Sequence, residues 1–580
     1  MARSERWRTR RWPFSRIAVE SARVASALAA AGLEPGGRVA LHLNDGPLWH
    51  AAFFGVLRAG AVAVPLDVGL EPARLRELAA DLELVAWCTE REVPELGLDL
   101  PRVELGWREG VVMHDLGPSD VPPWPSDDPD HMAQIVLTSG TSGAPKAVPI
   151  THRNMRVVLD ALESGIERYR RWLRLAPPLR IAVALPLSHL YGQVMGVFTP
   201  ALLPADVTFL PTMPAAELAR ALRGRKAWAL ATVPRTLALL ADHLRAEGES
   251  AWGEAGFADR LEAARSRPWW RRRLEFDRLH RLLGRRLLAV VSGGAALDPE
   301  LESFWRALGY AVVQGYGLTE TAPLVTLAHP FDPSPGSLGR PLPGVEVRIA
   351  SDGEILVRGA NVAPARLEGP SIDAAGWLHT GDLGRWEEGR LVYLGRKGER
   401  IVTPAGVNVD PEPIVARLKA RDEVLDALVV ERPWGPLGIV SAVLLIRPGA
   451  DPAAAVAAVN RDLPDAARIR DWHVWPGPDF PRTRTGKPRR PEIREWLLAL
   501  APAAMEVARD DVPADPVAAF VMLATEVARL PSDQVGADDP LGDVLTSLDR
   551  VELATRLESI YGVTLGFEAF AGEKTLREVA

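Results

Sequence analysis

The stretch Thr-Ser-Gly-Thr-Ser-Gly-Ala-Pro-Lys-Ala-Val, residues 138–148, determines how this 580-residue chain is interpreted. It follows a largely apolar run, residues 133–137, that predicts a buried strand, so a loop begins where that strand ends. The two glycines let the backbone approach a ligand closely, while four hydroxyls and Lys146 supply hydrogen-bond donors and a positive charge. This loop suits a polyphosphate, although its spacing is not that of a Walker A loop. A surface turn rich in serine, threonine and glycine is the alternative.

Composition and charge limit the classes of function. Apolar residues make up 47% and charged residues 25% of the chain, as in an ordinary soluble protein of several domains. The net charge of -7 argues against general nucleic-acid binding. Cys88 is the only cysteine, which excludes an internal disulfide and indicates a reducing, cytoplasmic compartment. Residues 1–16 lack the apolar segment of a signal peptide, and no run approaches the roughly 18 apolar residues of a membrane span.

Hydrophobic periodicity predicts helix–strand alternation in the first part of the chain, which indicates parallel βαβ units. Helices are predicted at 18–33, 49–57 and 73–80, and strands at 38–43, 61–65 and 84–88. Short strands separated by turns predict a β-rich subdomain from Gly344 to Gly395, and a smaller α+β unit follows it. A linker rich in alanine, proline and aspartate then precedes a mostly helical end.

The segment 246–286, rich in arginine and tryptophan, differs from its surroundings. Basic residues and tryptophan on a helix are typical of a peripheral contact with a membrane surface. A core-facing helix is the alternative, because Leu279, Leu282 and Leu283 give the segment an apolar side and arginine is a good helix former.

Side chains suited to a nucleotide recur downstream of the phosphate loop. Tyr316, flanked by glycines, can stack on a base, and Glu320 is a hard oxygen ligand suited to Mg²⁺. Asp382 follows a tight turn and can hold ribose hydroxyls, while Arg396 offers a planar fork of donors. Lys487 lies in a loop rich in glycine and arginine, from which a mobile cation can reach a ligand. The structural alternatives are a turn cap for Asp382, a surface charge for Glu320 and an ordinary exposed lysine for Lys487.

Taken in order, six motifs resemble the adenylate-forming superfamily, which contains acyl-CoA synthetases, luciferases and the adenylation domains of peptide synthetases. The motifs are TSGTSGAPK at 138–146, PLSHLYG at 186–192, GYGLTE at 315–320, TGD at 380–382, GRKGERIVTPAGVNV at 395–409 and PRTRTGK at 481–487. The resemblance implies an α/β fold: a large N-terminal domain of two α/β subdomains with a β-rich subdomain, and a small mobile α+β lid. The implied domains are an adenylation domain at 1–394, the lid at 395–501, a linker at 502–516 and a carrier-like domain at 517–580.

The resemblance also implies a site for ATP and Mg²⁺. The β- and γ-phosphates would be held by Thr138, Ser139, Gly140, Thr141, Ser142, Gly143 and Lys146. The rest of the nucleotide would contact Gly293, Gly294, Ala295, Tyr316 on adenine, Thr319 on the α-phosphate, and Asp382 and Arg396 on ribose. Glu320 would ligate Mg²⁺, and Lys487 would bridge the acid's carboxylate and the α-phosphate. No general base is needed, because a carboxylic acid is already ionised at pH 7.

The lid would rotate about Gly398–Glu399, where the family more often has Lys-Asp. This rotation would withdraw Lys487 and bring in the loop of Gly406. The acyl and thiol passage would be lined by His189, Tyr191, Gly192, Gly317 and Gly406. For His189, a core histidine that donates to a backbone carbonyl is the alternative.

Three stretches resemble long-chain fatty acyl synthetases: SGGAAL at 292–297, the arginine–tryptophan insert, and PFDPSPGSLGRPLPG at 330–344. The resemblance implies activation of a medium- to long-chain fatty acid to an acyl-adenylate, with release of pyrophosphate, and then thioester formation. Adenylation of an amino acid or aryl acid in an assembly line is an alternative, although no acidic residue for a substrate ammonium group is identified. An inactive nucleotide-binding scaffold is another, against which the retained Lys146, Glu320, Asp382 and Lys487 argue.

The stretch LGDVLTSLDRVEL, residues 541–553, resembles an acyl carrier protein. The resemblance implies that a phosphopantetheinyl transferase modifies Ser547, although Thr546 stands where the family usually has aspartate. The acyl acceptor would then be CoA or this carrier thiol. A small helical bundle without a prosthetic group is the alternative. The chain ends at Ala580 within the last expected carrier helix, which favours a longer protein with an acyltransferase or reductase behind the carrier.

Overall fold

The computed structural model describes residues 11–90, 100–107, 110–111, 128–139, 145–167, 178–203, 205–211, 213–328, 334–364, 372–402, 408–434, 437–464, 467–483, 486–500, 513, 515–528, 535–545, 550, 553, 557 and 574–580. Contacts between residues divide the chain into two units. The first unit is Met1–Leu394 with Arg482–Lys487, and the second is Gly395–Pro481 with Pro488–Ala580. The second unit begins at Gly395, which is also the first residue of the predicted lid. The loop 482–487, which the prediction places in the lid, is grouped with the first unit.

The first sheet of the first unit contains the predicted helix–strand alternation. Its strands are β1 (Arg38–His42), β2 (Val62–Pro65), β3 (Leu84–Glu90), β4 (Arg102–Gly106), β5 (Gly110–Val111), β6 (Met132–Ser139) and β7 (Pro145–Thr151), in the order β5-β4-β3-β1-β2-β6-β7. Its helices are α1 (Phe14–Ala30), α2 (Pro47–Arg58), α3 (Pro72–Asp81) and α4 (His152–Glu167). β1 pairs in parallel with both β2 and β3, as βαβ units require. Apolar spacing marks the faces of helices better than their ends, and α1 accordingly begins at Phe14 rather than at residue 18.

The second sheet is also mostly parallel. Its strands are β8 (Leu179–Val183), β9 (Ala205–Phe209), β10 (Ala229–Thr232), β11 (Ala289–Ser292), β12 (Ala311–Tyr316), β13 (Thr326–Leu327) and β14 (Arg340–Pro341), in the order β14-β13-β12-β11-β10-β8-β9. The accompanying helices are α5 (Leu190–Gln193), a π-helix (Val194–Phe198), α6 (Thr199–Leu202), α7 (Ala215–Arg225), α8 (Pro234–Trp252), α9 (Glu254–Arg265), α10 (Trp269–Glu275), α11 (Asp277–Leu283) and α12 (Pro299–Ala307).

The arginine–tryptophan segment is thus divided among the end of α8 and the helices α9, α10 and α11. Leu279 and Leu283 are fully buried in the core of the second sheet's helices, as the core-facing alternative predicts. Trp269 and Trp270 are exposed, so the segment also presents an apolar surface to solvent. Among the helices that the structure describes, none combines the length and the apolarity that crossing a bilayer requires.

The region predicted to be β-rich contains a four-stranded sheet. Its strands are β15 (Val345–Ile349), β16 (Glu354–Gly359), β17 (Leu378–Glu387) and β18 (Arg390–Arg396), in that order. β15 pairs antiparallel with β16, and β16 pairs antiparallel with β17. The division between the two units falls inside β18.

The second unit contains the α+β fold expected of a lid. Its strands are β19 (Ile401–Val402), β20 (Asn408–Val409), β21 (Val424–Trp434), β22 (Leu437–Ile446) and β23 (Asp471–Val474), and its helices are α13 (Pro411–Lys419), α14 (Pro452–Arg461) and α15 (Arg490–Ala499). The end of the chain adds α16 (Pro516–Ala528), α17 (Leu541–Val544) and α18 (Leu576–Val579). The apolar side chains Leu523, Leu541, Leu557 and Leu576 pack in one small core there.

The second sheet's core allows a matched test of packing within a single helix. Leu237 and Leu239 both lie in α8, but Leu237 is fully buried whereas the side chain of Leu239 is 40% exposed. We expect Leu237→Ala to lower the free energy of unfolding by about 2–5 kcal/mol, because it leaves a cavity. Leu239→Ala should change it by about 0.5 kcal/mol or less. Amide hydrogen exchange in α8–α12 measures the difference, and equal protection in the two variants would contradict the packing described here.

Candidate functional site

The carboxyl ends of three parallel strands meet at one edge of the second sheet. Thr232 at the end of β10 is paired with Ser292 at the end of β11, and Ser292 is paired with Gln314 in β12. Gly293 follows β11 directly, and Tyr316 is the last residue of β12. Ligands bind at such an edge in α/β sheets, because loops and helix starts meet there. The fold therefore brings together segments that lie up to 84 residues apart between Thr232 and Tyr316.

Tyr191 is fixed at this edge by the strand ends themselves. Its hydroxyl lies 2.9 Å from the carbonyl oxygen of Val291 and 3.3 Å from that of Thr232, and can donate to either. A Cβ atom on Gly293 would lie 2.9 Å from Cζ of Tyr191, so only glycine leaves room for the ring. Burial raises the pKa of Tyr191, so the hydroxyl remains protonated and keeps donating.

At two further positions of the predicted site, the backbone of another residue lies so close that only glycine fits. A Cβ on Gly192 would lie 2.1 Å from the carbonyl oxygen of Pro186, and a Cβ on Gly317 would lie 2.0 Å from that of Pro323. Both residues thus hold the shape of the motifs PLSHLYG and GYGLTE. His189 is half-buried and precedes α5, and its role in the passage stays a prediction.

A buried hydrogen bond joins Tyr316 to Asp382, the residues predicted to contact adenine and ribose. The Tyr316 hydroxyl donates to Oδ2 of Asp382 over 2.9 Å, and the two residues are only 7% and 2% exposed. Burial and the neighbouring Asp382 carboxylate raise the pKa of Tyr316 well above its usual value. The backbone N–H of Asp382 donates to Oγ1 of Thr380 over 3.1 Å, and the Thr380 hydroxyl donates to the carbonyl oxygen of Ile355 over 2.7 Å. Asp382 is therefore held in one orientation.

Thr319 and Glu320 lie in a single 3₁₀ turn, Thr319–Thr321, that follows β12. The backbone N–H of Leu318 donates to Oγ1 of Thr321 over 2.9 Å, which closes the turn. The carbonyl oxygen of Glu320 accepts a hydrogen bond from the backbone N–H of Ala363 over 2.8 Å. Both predicted residues are half-buried, so part of each remains accessible to a ligand such as phosphate or Mg²⁺.

The hairpin β6–β7 holds both ends of the phosphate loop. Thr138 is paired with Lys146, and the two ends close with Ser139 opposite Pro145. The Thr138 hydroxyl donates to the carbonyl oxygen of Lys146 over 3.4 Å. The predicted ligands Gly140, Thr141, Ser142 and Gly143 lie outside the described residues, and so do Gly406 and Ser547.

Two hydrogen bonds join Thr483 to Lys487, in the segment that is grouped with the first unit. The backbone N–H of Thr483 donates to the carbonyl oxygen of Lys487 over 2.9 Å, and the N–H of Lys487 donates to Oγ1 of Thr483 over 3.2 Å. Gly486 has a φ of +77°, which favours glycine. A Cβ on Gly486 would lie 3.3 Å from Cβ of Arg235 and 3.6 Å from Cγ2 of Val233, the residue that follows β10.

Arg396 is the last residue of β18 and is half-buried in the second unit.

Three polar residues that the sequence analysis did not identify hold these motifs in position. Gln134 in β6 and Gln193 in α5 exchange side-chain amide hydrogen bonds of 2.9 and 3.0 Å, and both are fully buried. Gln193 also donates to the carbonyl oxygen of Leu187 over 3.1 Å, and Asp45 accepts from the N–H of Leu187 over 2.7 Å. A glutamine inside the apolar run before the phosphate loop was the available signal, because a buried amide needs a partner.

Comparison with known proteins identifies two families along the chain. Residues 4–365 match the family described as AMP-binding enzyme, and residues 518–580 match the family described as phosphopantetheine attachment site. The long-chain-fatty-acid–CoA ligase FadD15 of Mycobacterium bovis is 30% identical over 447 residues, 70% of this chain and 72% of that protein. CymA of Salinispora arenicola, described as a probable non-canonical nonribosomal peptide synthetase, is 28% identical over 590 residues, 96% of this chain but 6% of that protein.

Solved structures have the same fold. ATP-bound MatB from Rhodopseudomonas palustris aligns with a TM-score of 0.67 and 23% identity over 84% of this chain and 93% of that one. The o-succinylbenzoate CoA synthetase MenE of Bacillus subtilis, in complex with its acyl-adenylate intermediate, aligns with a TM-score of 0.66 and 22% identity over 83% of this chain and 93% of that one. The predicted α/β fold is therefore confirmed.

Removing the Tyr316 hydroxyl tests the buried hydrogen bond. Tyr316→Phe takes a donor from a buried carboxylate, so we expect it to lower the free energy of unfolding of the first unit by about 1–3 kcal/mol. Tyr310→Phe is the matched control, because the buried Tyr310 hydroxyl has no hydrogen-bond partner among the described residues. Urea unfolding of both variants measures this, and an equal midpoint for the two would contradict the importance of the Tyr316–Asp382 bond.

Proposed function

The chain belongs to the AMP-binding enzyme family, and from this premise we propose that it activates a medium- to long-chain fatty acid. The family match and the fatty-acid–CoA ligase relatives support an acid–thiol ligase that uses ATP to form an acyl-adenylate. The proposed acceptor is CoA or the phosphopantetheine of the chain's own carrier domain. The buried hydrogen bond between Tyr316 and Asp382 at the sheet edge is the observation that best supports a nucleotide site there.

In the proposed first step, a carboxylate oxygen of the acid attacks the α-phosphorus of ATP. A new oxygen–phosphorus bond forms, the bond to the bridging oxygen breaks, and pyrophosphate leaves. Thr319 would donate to the α-phosphate, and Lys487 would neutralise charge on the carboxylate and the α-phosphate. Catalysis would rest on positioning and on electrostatic stabilisation, since no proton needs to be removed from the acid. The position of the 482–487 loop beside Val233 supports this role for Lys487.

A magnesium ion fits this site through few protein ligands. No group of three or more histidine, cysteine, aspartate or glutamate side chains in the described part of the chain could hold a metal by itself. Mg²⁺ commonly binds one carboxylate together with substrate phosphates, and Glu320 in the turn after β12 would supply that carboxylate. Bound there, the ion would neutralise the developing charge on the pyrophosphate leaving group.

We propose the domain boundaries predicted above, with a lid that moves about Gly398–Glu399. The short 3₁₀ turn Lys397–Glu399 lies just after the division between the two units, which supports a hinge there. Within the second unit, Arg490 pairs with Glu399 over 3.1 Å and with Glu412 over 2.7 Å. Glu399 is thus anchored on the lid side, so the rotation would be absorbed on its amino-terminal side, at Gly398.

The chain's own carrier is the acceptor that we favour. A carrier joined to the enzyme by a short linker reaches an effective concentration in the millimolar range, well above that of a dilute free thiol. The match of residues 518–580 to the phosphopantetheine attachment site supports modification of Ser547 by a phosphopantetheinyl transferase. We further propose that the enzyme is cytoplasmic and contacts the membrane peripherally. Its loaded carrier would pass the acyl group to a downstream acyltransferase or reductase.

Activation of an amino acid or aryl acid is the second candidate. It is favoured by the match to CymA, a peptide synthetase, over 96% of this chain, which includes the carrier region. The match to FadD15, named as a long-chain-fatty-acid ligase, favours the fatty acid at a slightly higher identity.

A panel of acids separates the two candidates. The full chain is incubated with ATP, Mg²⁺ and, in turn, hexadecanoate, octanoate, an amino acid and an aryl acid, and pyrophosphate release is measured. We expect fatty acids to exceed the others at least about tenfold in kcat/KM, because each buried CH₂ contributes about 0.8 kcal/mol. The highest rate with the amino acid or aryl acid would overturn the fatty-acid proposal.

Replacement of Lys487 tests its proposed charge-stabilising role. We expect Lys487→Ala to lower acid-dependent pyrophosphate release by about 10²–10³-fold, with ATP binding by calorimetry nearly unchanged. Lys419→Ala is the control, because Lys419 lies in α13 and pairs with Asp426 over 3.5 Å within the second unit. Turnover by Lys487→Ala equal to that of the control would show that Lys487 has no part in the chemistry.

A further inference from the structure

The helix α10 presents large apolar side chains to solvent. The exposed fractions are 64% for Trp269, 47% for Trp270 and 71% for Leu274. Trp270 and Leu274 lie four residues apart and so share one face of the helix, with Trp269 beside them. Single exposed apolar residues are ordinary, but three within seven residues form a contiguous patch that indicates a binding surface.

Positive charge is concentrated around this patch. Residues 265–286 contain nine arginines and two acidic residues, a net charge of +7, in a chain whose total is -7. Arg271, Arg278 and Arg286 are exposed, and the guanidinium of Arg271 lies 5.0 Å from the ring centre of Trp270. Two carboxylates offset part of this charge: Asp277 accepts from Arg281 and Arg285 over 2.7 Å each, and Glu275 pairs with Arg267 and, over 3.6 Å, with Arg260.

The apolar patch and a basic cleft are fixed next to each other. Arg273 in α10 donates to the carbonyl oxygen of Arg285 over 2.8 Å and to that of Leu287 over 3.0 Å. The turn that it holds borders a cleft of about 370 Å³, lined by Arg223, Lys226, Arg281, Gly284, Arg285 and Arg286. The surface thus combines indole rings, an aliphatic side chain and several cationic side chains in one place.

The exposure of the two tryptophans does not come from a loosely held helix. The backbone of α10 packs closely on Gly309, where a Cβ would lie 3.0 Å from the carbonyl oxygen of Trp269 and 2.8 Å from Cγ of Arg273. Arg272 donates to the carbonyl oxygen of Arg306 over 2.9 Å. The inner side of α10 is therefore anchored to the end of α12, and its apolar face is held outward.

We propose that this arginine–tryptophan surface, made of Trp269, Trp270, Arg271, Leu274, Arg278 and Arg286, docks on the interface of an anionic lipid bilayer. Tryptophan prefers the interfacial region, where its ring is apolar and its N–H meets water. Arginine adds attraction to lipid phosphates and to the negative surface potential. The inference rests on the proposed function in one respect: fatty acids partition into bilayers, so docking there would bring the site to its substrate.

Vesicle flotation of the full chain tests the proposal. We expect the protein to float with vesicles of equal parts phosphatidylglycerol and phosphatidylcholine, less with phosphatidylcholine alone, and less at high salt. Replacing Arg271, Arg278 and Arg286 by glutamine should weaken binding by about fivefold for each arginine. Trp269→Ser with Trp270→Ser and Leu274→Ser should weaken it by about tenfold or more, because apolar burial is lost.

A matched control separates docking from general surface chemistry. Trp386, 39% exposed, and the neighbouring Arg385 lie in β17, and Trp386→Ser with Arg385→Gln should leave flotation unchanged. The proposal is overturned if the wild-type chain does not float, if the surface variants float equally well, or if the control weakens binding as much. It is also overturned if anionic vesicles are ignored while an isolated acidic carrier domain binds the surface. Pyrophosphate release from octanoate without vesicles is measured in parallel, so a failure of adenylation is distinguished from a failure of docking.

Discussion

The hydrogen bond between Tyr316 and Asp382 is the interaction on which the candidate site depends. It connects the end of β12 in the second sheet to β17 in the four-stranded sheet, across 66 residues of sequence. A buried carboxylate is costly unless it is hydrogen-bonded, so Asp382 fixes the distance between the two sheets at this point. The turn of Thr319 and Glu320 begins three residues after Tyr316, so the position of Tyr316 also constrains where that turn lies. Groups suited to a base, a ribose, a phosphate and a metal ion are thereby held around one edge.

Close packing at the same edge restricts both the backbone positions of the motifs and the side chains that fit in them. Gly192, Gly293 and Gly317 each lie where a Cβ would come within 3 Å of another atom. The buried Gln134–Gln193 pair links the phosphate hairpin to the segment of Tyr191. Because interiors packed this tightly transmit displacements, a shift of one segment would move the other. These packed segments of the candidate site lie in the first unit. The loop of Lys487 belongs to the same unit although it comes from a distant part of the sequence.

Much of this could be predicted from the sequence, because the motifs are local. The alternation of helices and strands followed from apolar periodicity, and the family followed from six short motifs. The pairing of Tyr316 with Asp382 and the amide pair of Gln134 with Gln193 could not be predicted, since periodicity reports neighbours within one helix or strand and not long-range partners. The apolar run 427–430 marks only the centre of β21, which spans Val424–Trp434 because cross-strand pairing with β22 extends it in both directions. The outward face of α10 likewise depends on Gly309, which lies 34 residues beyond the end of that helix.

We infer that one chain both activates a fatty acid and loads its own carrier. Intact-protein mass spectrometry tests it most directly, after coexpression with a phosphopantetheinyl transferase and incubation with ATP, Mg²⁺ and a mixture of fatty acids without CoA. We expect a mass increase for an acylated phosphopantetheine, which the Ser547→Ala variant should lack. A phosphopantetheine that stays unacylated while added CoA is converted to acyl-CoA would contradict self-loading, and absence of any modification would contradict the role of Ser547.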